Sequence, residues 1–182
     1  MFKRLDIRTP QDLMKFFESN LEYGFVYRNK IFTPMKPYFS TNMDKLYKIR
    51  LGEDLIKNKY GVCWDFCELE RKFFLQNTIE HECFFIDSQN KENGATHTHT
   101  FALFKQNGKW YWFEYSWFYQ RGIWEYATKE EALKDILLKY KKFHNDKLIN
   151  IAIYKTKKVT KRLDVCEFME HCVKGEKIQI DI

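Results

Sequence analysis

The sequence contains few residues that interrupt regular structure: 7 glycines and 3 prolines among 182 residues. This scarcity argues against long disordered linkers, and the length predicts one domain that spans residues 1–182. The sequence also lacks an apolar run long enough to cross a bilayer, and its first residues lack the apolar segment of a secretory signal. We therefore expect no membrane partner.

A strong excess of one charge is also missing. The chain has 31 basic and 25 acidic residues, which gives a formal net charge of +6. Nucleic-acid-binding proteins usually carry a denser basic patch, so we do not expect a nucleic-acid partner. A basic cluster at Lys155–Arg162 is typical of a solvated loop, and it keeps an acidic partner or a nucleic acid as an alternative.

The number of cysteines, five, is odd, and their spacings do not suggest a disulfide framework. This pattern indicates a reducing compartment, so we predict a cytoplasmic protein. Zinc ligands are usually paired at short spacings such as Cys-x-x-Cys. Cys63, His81, His97 and His99 are too scattered for such a site, and the sequence predicts neither a metal nor another cofactor.

Aromatic residues are abundant, at 18% of a chain that is 45% hydrophobic, and they predict a ring-rich core. Helix caps and apolar periodicity predict helices at 10–21, 38–58 (two pieces broken near Gly52), 63–76, 129–142 and 163–173. Apolar alternation and turn residues predict a hairpin at 23–33 and strands at 82–87, 97–104, 110–115, 149–154 and 177–182. Helices before and after a cluster of adjacent strands indicate an α+β fold.

Cys63 is the first residue of the predicted helix 63–76. A thiol at this position faces unpaired backbone N–H groups and the positive end of the helix dipole, and both stabilise a thiolate. A cysteine that only fills space in the core is the alternative. The helix is expected to bury a single face, formed by Cys63, Phe66, Cys67, Phe73 and Phe74.

The dipeptide Asn107-Gly108 is a strong signal for a two-residue β-turn. With this turn, Gln106 pairs with Lys109, and alternation along the strands puts His99 and Glu114 on one face, one diagonal step apart. The carboxylate can then accept a hydrogen bond from one imidazole nitrogen and leave the other nitrogen for a thiol.

Three segments resemble, in this order, the motifs of transglutaminase-like proteins. The segment Gly61–Asp65, of sequence GVCWD, resembles their nucleophile motif, and His99–Phe101, of sequence HTF, resembles their His–x–aromatic strand. The segment Trp110–Glu114, of sequence WYWFE, is similar to their tryptophan-containing strand, which ends in the acidic residue of a triad. The resemblance covers residues 60–118. The acid is more often Asp in this family, and here it is Glu114.

The resemblance implies a papain-like core in which the nucleophile helix packs on an antiparallel sheet. It also implies a triad with Cys63 as nucleophile, His99 as base and Glu114 as acid. Such a site attacks the amide of a protein or peptide and forms a thioester, as a protease, deamidase or transglutaminase does. The family includes members without activity. The alternative is therefore a catalytically silent binding module that recognises its partner through the aromatic segment Trp112–Trp124.

Two residues are alternatives within the predicted site. His97 lies on the same face as His99 and is the alternative base, although His99 directly precedes the Thr-Phe of the motif. Ser116 lies opposite His99 in the predicted register and is an alternative partner for the imidazole ring.

Two further residues carry weaker expectations. The backbone N–H of Cys63 is one expected donor to an oxyanion, and Asn58 is a weak candidate for the second donor. Glu70 falls on the apolar face of the Cys63 helix, where a buried carboxylate needs a partner. We expect it to form a structural hydrogen bond with a basic side chain or with the backbone.

Overall fold

The computed structural model of the chain describes residues 1–180. Its α-helices, numbered in chain order, are α1 (Pro10–Asn20), α2 (Phe39–Leu46), α3 (Glu53–Asn58), α4 (Cys63–Gln76), α5 (Lys129–Phe143) and α6 (Val165–Val173). Its strands are β1 (Glu22–Tyr23), β2 (Phe25–Tyr27), β3 (Lys30–Phe32), β4 (Tyr60–Gly61), β5 (His81–Asn90), β6 (Thr96–Gln106), β7 (Lys109–Glu114), β8 (Gly122–Tyr126), β9 (Leu148–Lys155) and β10 (Glu176–Ile178). Within these described residues, no helix is long and apolar enough to span a membrane.

Side-chain caps set the starts of α1, α5 and α6. α1 begins at the predicted cap, where Thr9 Oγ1 accepts the backbone N–H of Asp12 and the Asp12 carboxylate accepts the N–H of Thr9. The last helix, α6, begins two residues later than predicted, because Asp164 and Glu167 form the same reciprocal cap.

Six strands form one antiparallel sheet in the order β10-β9-β5-β6-β7-β8. The predicted α+β fold class is therefore confirmed. The sequence does not predict β8, because Gly122–Tyr126 lacks apolar alternation; pairing with β7 holds it extended. The predicted terminal strand 177–182 lies partly outside the described residues, which show a strand at Glu176–Ile178.

The β6–β7 hairpin has the predicted register. Asn107 and Gly108 have positive φ angles of 51° and 79°, as a type I′ turn requires, and Gln106 pairs with Lys109. This pairing continues along the hairpin and puts alternate residues of each strand on the same face.

The sheet separates two ring-rich cores. One face packs against α1 and α4, in a cluster that includes Phe17, Phe66, Phe74, Phe104 and Phe113. The other face packs against α5, in a cluster that includes Phe101, Leu103, Trp112, Leu137 and Tyr140. His99 is two residues from Phe101 on the same strand, so its side chain lies on the α5 face.

Helix α4 is buried on all sides, and the expectation of a single buried face was wrong. Between Cys63 and Phe74, Lys72 alone is partly exposed. The sheet covers one side of the helix, and α1 and α6 cover others through ring contacts. Charged side chains are buried here with partners: Glu68 and Arg71 form an ion pair at 3.0 Å. The apolar stripe does not reveal such buried polar positions.

Candidate active site

Cys63 opens α4 at a tightly held turn. The fully buried carboxylate of Asp65 accepts the backbone N–H of Val62 at 2.6 Å and that of Arg50 at 2.5 Å. Burial raises the pKa of Asp65 to about 7, against the effect of these two hydrogen bonds. The bonds fix the first turn of the helix, so Cys63, which is 5% exposed, is held at the helix N-terminus.

Gly61 leaves room for this turn. A Cβ atom at this position would lie 2.7 Å from Cδ1 of Leu55 and 3.0 Å from Cβ of Asp65, which is closer than carbon atoms pack. The φ angle of Gly61 is not positive. Close packing, and not a special backbone conformation, therefore requires the glycine.

The structure brings His99 and Glu114 into contact. Nε2 of His99 lies 2.7 Å from Oε2 of Glu114, and both side chains are buried. The other carboxylate oxygen accepts hydrogen bonds from Ser116 Oγ at 2.9 Å and from the backbone N–H of Trp117 at 2.8 Å. Ser116, the alternative partner for the imidazole, therefore binds the acid, and the carboxylate is held from two sides.

The sulfur of Cys63 lies beside the His99 ring, close enough to raise the pKa of the imidazole. Strand β7 ends at Glu114, and its pairing with β6 stops at Ala102, so the edge of β6 is open beside His99. The first residue of α4 reaches the ring there, although the body of the helix packs on the opposite face of the sheet. Since Nε2 faces Glu114, Nδ1 is the nitrogen left for the sulfur.

Glu114 favours the protonated form of His99. Burial by itself would lower the pKa of His99, but the carboxylate of Glu114 and the hydrogen bonds with Cys63 and Glu114 outweigh it and raise the pKa to about 10. The ring is therefore an imidazolium at neutral pH. A cation beside a sulfur at a helix N-terminus stabilises the thiolate form.

His97 occupies a different position from His99. It is half-buried, and its ring centroid lies 4.5 Å from that of His144. Burial, followed by the charges of His97 and His99, lowers the pKa of His144 to about 4. Of the two candidate bases, His99 is the one that contacts both the acid and the thiol.

Two other candidate residues make contacts elsewhere. His81 pairs with Phe104 at the far end of β5 from His99, so the scattered histidines and Cys63 do not converge on one point. The side-chain amide of Asn58 donates to the carbonyl oxygen of Asp54 at 2.7 Å and to its carboxylate at 2.8 Å. It is therefore not available as an oxyanion donor.

Tyr23 belongs to the site and was missed from the sequence. Strand β1 pairs in parallel with β4, which sets Tyr23 beside Gly61, two residues before Cys63. The Tyr23 hydroxyl lies beside the thiol and the backbone N–H of Cys63, and both influence its pKa. Burial, followed by the neighbouring sulfur, raises the pKa of this phenol well above its usual range. No local pattern reveals a parallel bridge between such distant segments.

Glu70 is a buried carboxyl near the site. The basic side chain that the sequence predicts as its partner does not pair with it. Within residues 1–180, Glu70 forms no salt bridge. Burial, followed by the carboxylate of Glu114, raises the pKa of Glu70 well above its usual range.

A cleft of about 440 Å³ leads to His99. Its walls include Tyr23, Trp117 and Tyr140, and the strongly exposed rings of Phe118 and Tyr119 stand at its rim. Much of the aromatic segment Trp112–Trp124 is instead core, since its buried members are Trp112, Phe113, Tyr115 and Trp117. The exposed rings of the segment are thus Phe118 and Tyr119 at the rim of the cleft and Trp124 on β8.

Comparison with known proteins gives one finding. A family model described as a transglutaminase-like domain matches residues 3–139, which is more than half of the chain. No curated protein and no solved structure matches the sequence. The match includes every residue of the contact chain that links Cys63, His99 and Glu114.

Proposed function

Because the chain belongs to the transglutaminase-like domain family, we propose that it is a cysteine-dependent hydrolase or acyltransferase that acts on amides. A shared fold does not by itself fix an activity. The observation that carries the proposal is the buried contact at 2.7 Å between Glu114 and His99, with the sulfur of Cys63 beside the same imidazole ring. This is the arrangement of an activated nucleophile, its base and an orienting acid.

The proposed reaction has two stages. The thiolate of Cys63 forms a bond to the amide carbonyl carbon, the C–N bond breaks, and the imidazolium of His99 gives its proton to the departing nitrogen. The resulting thioester is then attacked by water, which makes the protein a protease or deamidase, or by an amine, which makes it a transglutaminase. His99 takes up the proton of this second nucleophile, the C–S bond breaks, and the thiolate of Cys63 is released.

Two donors are suited to the oxyanion of the tetrahedral intermediate. One is the backbone N–H of Cys63, at the positive end of α4. The other is the hydroxyl of Tyr23, which is in contact with the same N–H and with the sulfur. A carbonyl oxygen bound between them would polarise as the C–S bond forms.

The Tyr23→Phe variant tests this proposal. Loss of one oxyanion donor is expected to lower kcat on peptide amides by about 10²- to 10³-fold. Alkylation of Cys63 by iodoacetamide forms no oxyanion, so its rate should change little. The measurements are amine or ammonia release from a panel of peptide amides, alkylation rate, and intact mass to detect the thioester.

Tyr115→Phe is the matched control for this variant. It removes another buried tyrosine hydroxyl, one that donates to the carbonyl oxygen of Leu21, and should lower the melting temperature without a loss of kcat. Equal turnover by Tyr23→Phe and the unmodified protein would remove Tyr23 from the oxyanion site. Failure of the unmodified protein to form any thioester on Cys63 would support the silent binding module.

Replacement of Glu114 by glutamine is expected to lower the pKa of His99, because the carboxylate charge is the strongest of the effects that raise it. With less imidazolium at neutral pH, alkylation of Cys63 should slow and its pH profile should approach that of an ordinary thiol. Turnover should fall by about 10²-fold or more. Folding should change little, since glutamine keeps an acceptor oxygen.

Glu125→Gln controls for the loss of a charge on the neighbouring strand. Glu125 is an exposed partner of Tyr111, and its replacement should leave the alkylation profile of Cys63 unchanged. If Glu114→Gln lowered the melting temperature and left that profile unshifted, Glu114 would only brace the hairpin through Ser116 and Trp117.

A catalytically silent binding module remains the second candidate, and one observation favours it. Phe118 and Tyr119 are 72% and 75% exposed, and exposed rings often mark a protein-binding surface. Such a module would bind the same partners without forming a thioester.

The proposal includes a protein or peptide as the partner that supplies the amide. All five cysteines are free, which supports a reducing, cytoplasmic location. Lys155 forms an ion pair with Glu82 at 2.9 Å, which neutralises one charge of the basic cluster Lys155–Arg162. The case for a nucleic-acid partner is weaker for that reason.

A further inference from the structure

The cleft beside His99 is built to hold a particular kind of side chain. We propose that it selects substrates with an aromatic residue next to the reacting amide and a carboxylate close by. This inference rests on the proposed function, because it names the substrate class of the same site. The cleft volume of about 440 Å³ falls within the range of sites that enclose a small ligand or a short segment of chain.

The cleft has an aromatic rim. Phe118 and Tyr119 are presented to solvent by a 3₁₀ turn, Phe118–Gln120, which is closed by the backbone bond from Gln120 N–H to Trp117 O at 2.8 Å. Phe143 on α5, 50% exposed, continues the rim, with its ring centroid 6.4 Å from that of Tyr119.

The rim continues into the interior of the site. The ring of Trp117 packs edge-on against Phe143 at 5.2 Å and against His99 at 5.7 Å. A continuous aromatic surface therefore runs from solvent to the imidazole. Aromatic rings prefer edge-on and offset-stacked neighbours, so a substrate ring is the group that this surface accommodates best.

The cleft also carries positive charge. Its lining includes the guanidinium of Arg121, and no Asp or Glu is among the lining residues in the described part of the chain. A cleft lined by groups of one sign attracts ligands of the opposite sign. The charge complementarity therefore favours a substrate that carries a carboxylate.

Arg121 is the cation that would bind the substrate carboxylate, and its side chain is held in place. Its guanidinium lies 4.3 Å from the centroid of the Tyr115 ring, and its Nε donates to the carbonyl oxygen of Tyr115 at 3.0 Å. Among residues 1–180, no carboxylate pairs with this guanidinium. A planar guanidinium held by one edge keeps a fork of N–H donors that suits a carboxylate.

The test measures binding by protection of Cys63 from iodoacetamide, which needs no turnover. Three acetylated, amidated peptides are compared: Phe-Gln-Asp, Ser-Gln-Asp and Phe-Gln-Lys. The peptide Phe-Gln-Asp should give half-protection at a concentration at least about tenfold lower than either of the other two peptides. A tenfold difference corresponds to about 1.4 kcal/mol of binding free energy. Equal protection by all three peptides would overturn the inference.

Variants assign the two contacts separately. Phe118→Ser with Tyr119→Ser should abolish the preference for Phe and retain the preference for Asp. Arg121→Gln should abolish the preference for Asp and retain the preference for Phe. Arg121→Lys, which keeps the charge, should restore part of the preference for Asp. Leu138→Gln, at an exposed apolar position on α5 away from the cleft lining, should change neither. Retention of the Asp preference by Arg121→Gln would contradict the role of the arginine.

The outcome is separable from that of the proposed function. Selective protection without a thioester would leave the aromatic and acidic preference standing and would reject the enzyme. A thioester that forms on Cys63 without selective protection would support the enzyme and reject this substrate class.

Discussion

The Cys63→Ala variant is expected to lose turnover of peptide amides by a factor on the order of 10⁶, the scale measured when the nucleophile of a serine protease is removed. The physical reason is that no other group at the end of α4 can form the thioester. The tetrahedral intermediate would have to form from water directly, with help from the remaining donors alone.

The fold should survive this change. Cys63 lies at the N-terminus of α4, and removal of its single sulfur atom should cost about 1 kcal/mol of unfolding free energy. The measurements are turnover on the peptide panel and the thermal melt of each variant.

Cys67→Ala is the matched control for Cys63→Ala. Cys67 lies one turn along the same helix, is buried, and contacts Cys83 and not His99. It should lose comparable stability or more and retain turnover. If Cys63→Ala were as active as the unmodified protein, Cys63 would be a space-filling core residue and the nucleophile assignment would be wrong.

The His99→Ala variant is expected to be nearly as damaging, with turnover lower by about 10⁴-fold. Its loss removes both the cation that stabilises the thiolate and the proton donor for the departing nitrogen. Alkylation of Cys63 at neutral pH should slow as well. A rise in pH should restore alkylation, because hydroxide then removes the thiol proton without the ring, but should not restore turnover.

Folding must be followed in the same variant. Removal of the ring leaves the carboxylate of Glu114 buried with two of its three hydrogen-bond partners, Ser116 and Trp117, and a lost partner costs stability. Recovery of alkylation at high pH would show that the loss of turnover has a chemical cause and not unfolding.

His97→Ala provides the comparison on the same strand. His97 is half-buried, lies beside His144, and is two residues from His99. We expect its replacement to lower turnover by less than about tenfold, since it is not in contact with the acid and the thiol. If His97 proved to be the essential histidine, the assignment of the base would have to be reversed.

Much of the architecture follows from short-range rules in the sequence. The cap at Thr9, the helix that opens at Cys63 and the turn at Asn107-Gly108 are each determined within a few residues, and the structure has all three. The turn also fixes the register, because the side-chain period of a strand is two residues. For this reason the shared face of His99 and Glu114 could be predicted.

The features that the sequence did not reveal depend on packing between distant segments. α4 is buried on all sides because α1, α6 and the sheet surround it, and an apolar stripe carries no information about buried charges that have partners. Strand β8 owes its extended conformation to β7, and no pattern of its own distinguishes it from a loop.

The sequence by itself determined the fold class, the family, and a helix that begins with Cys63 a third of the way along the chain. Only the tertiary structure decided that the sulfur reaches His99 past the open edge of β6 and that Tyr23 joins them through the β1–β4 bridge. The physical reason is range: caps, turns and alternation act over a few residues, whereas these contacts arise where separate elements meet, and their geometry is set by the packing of the whole core.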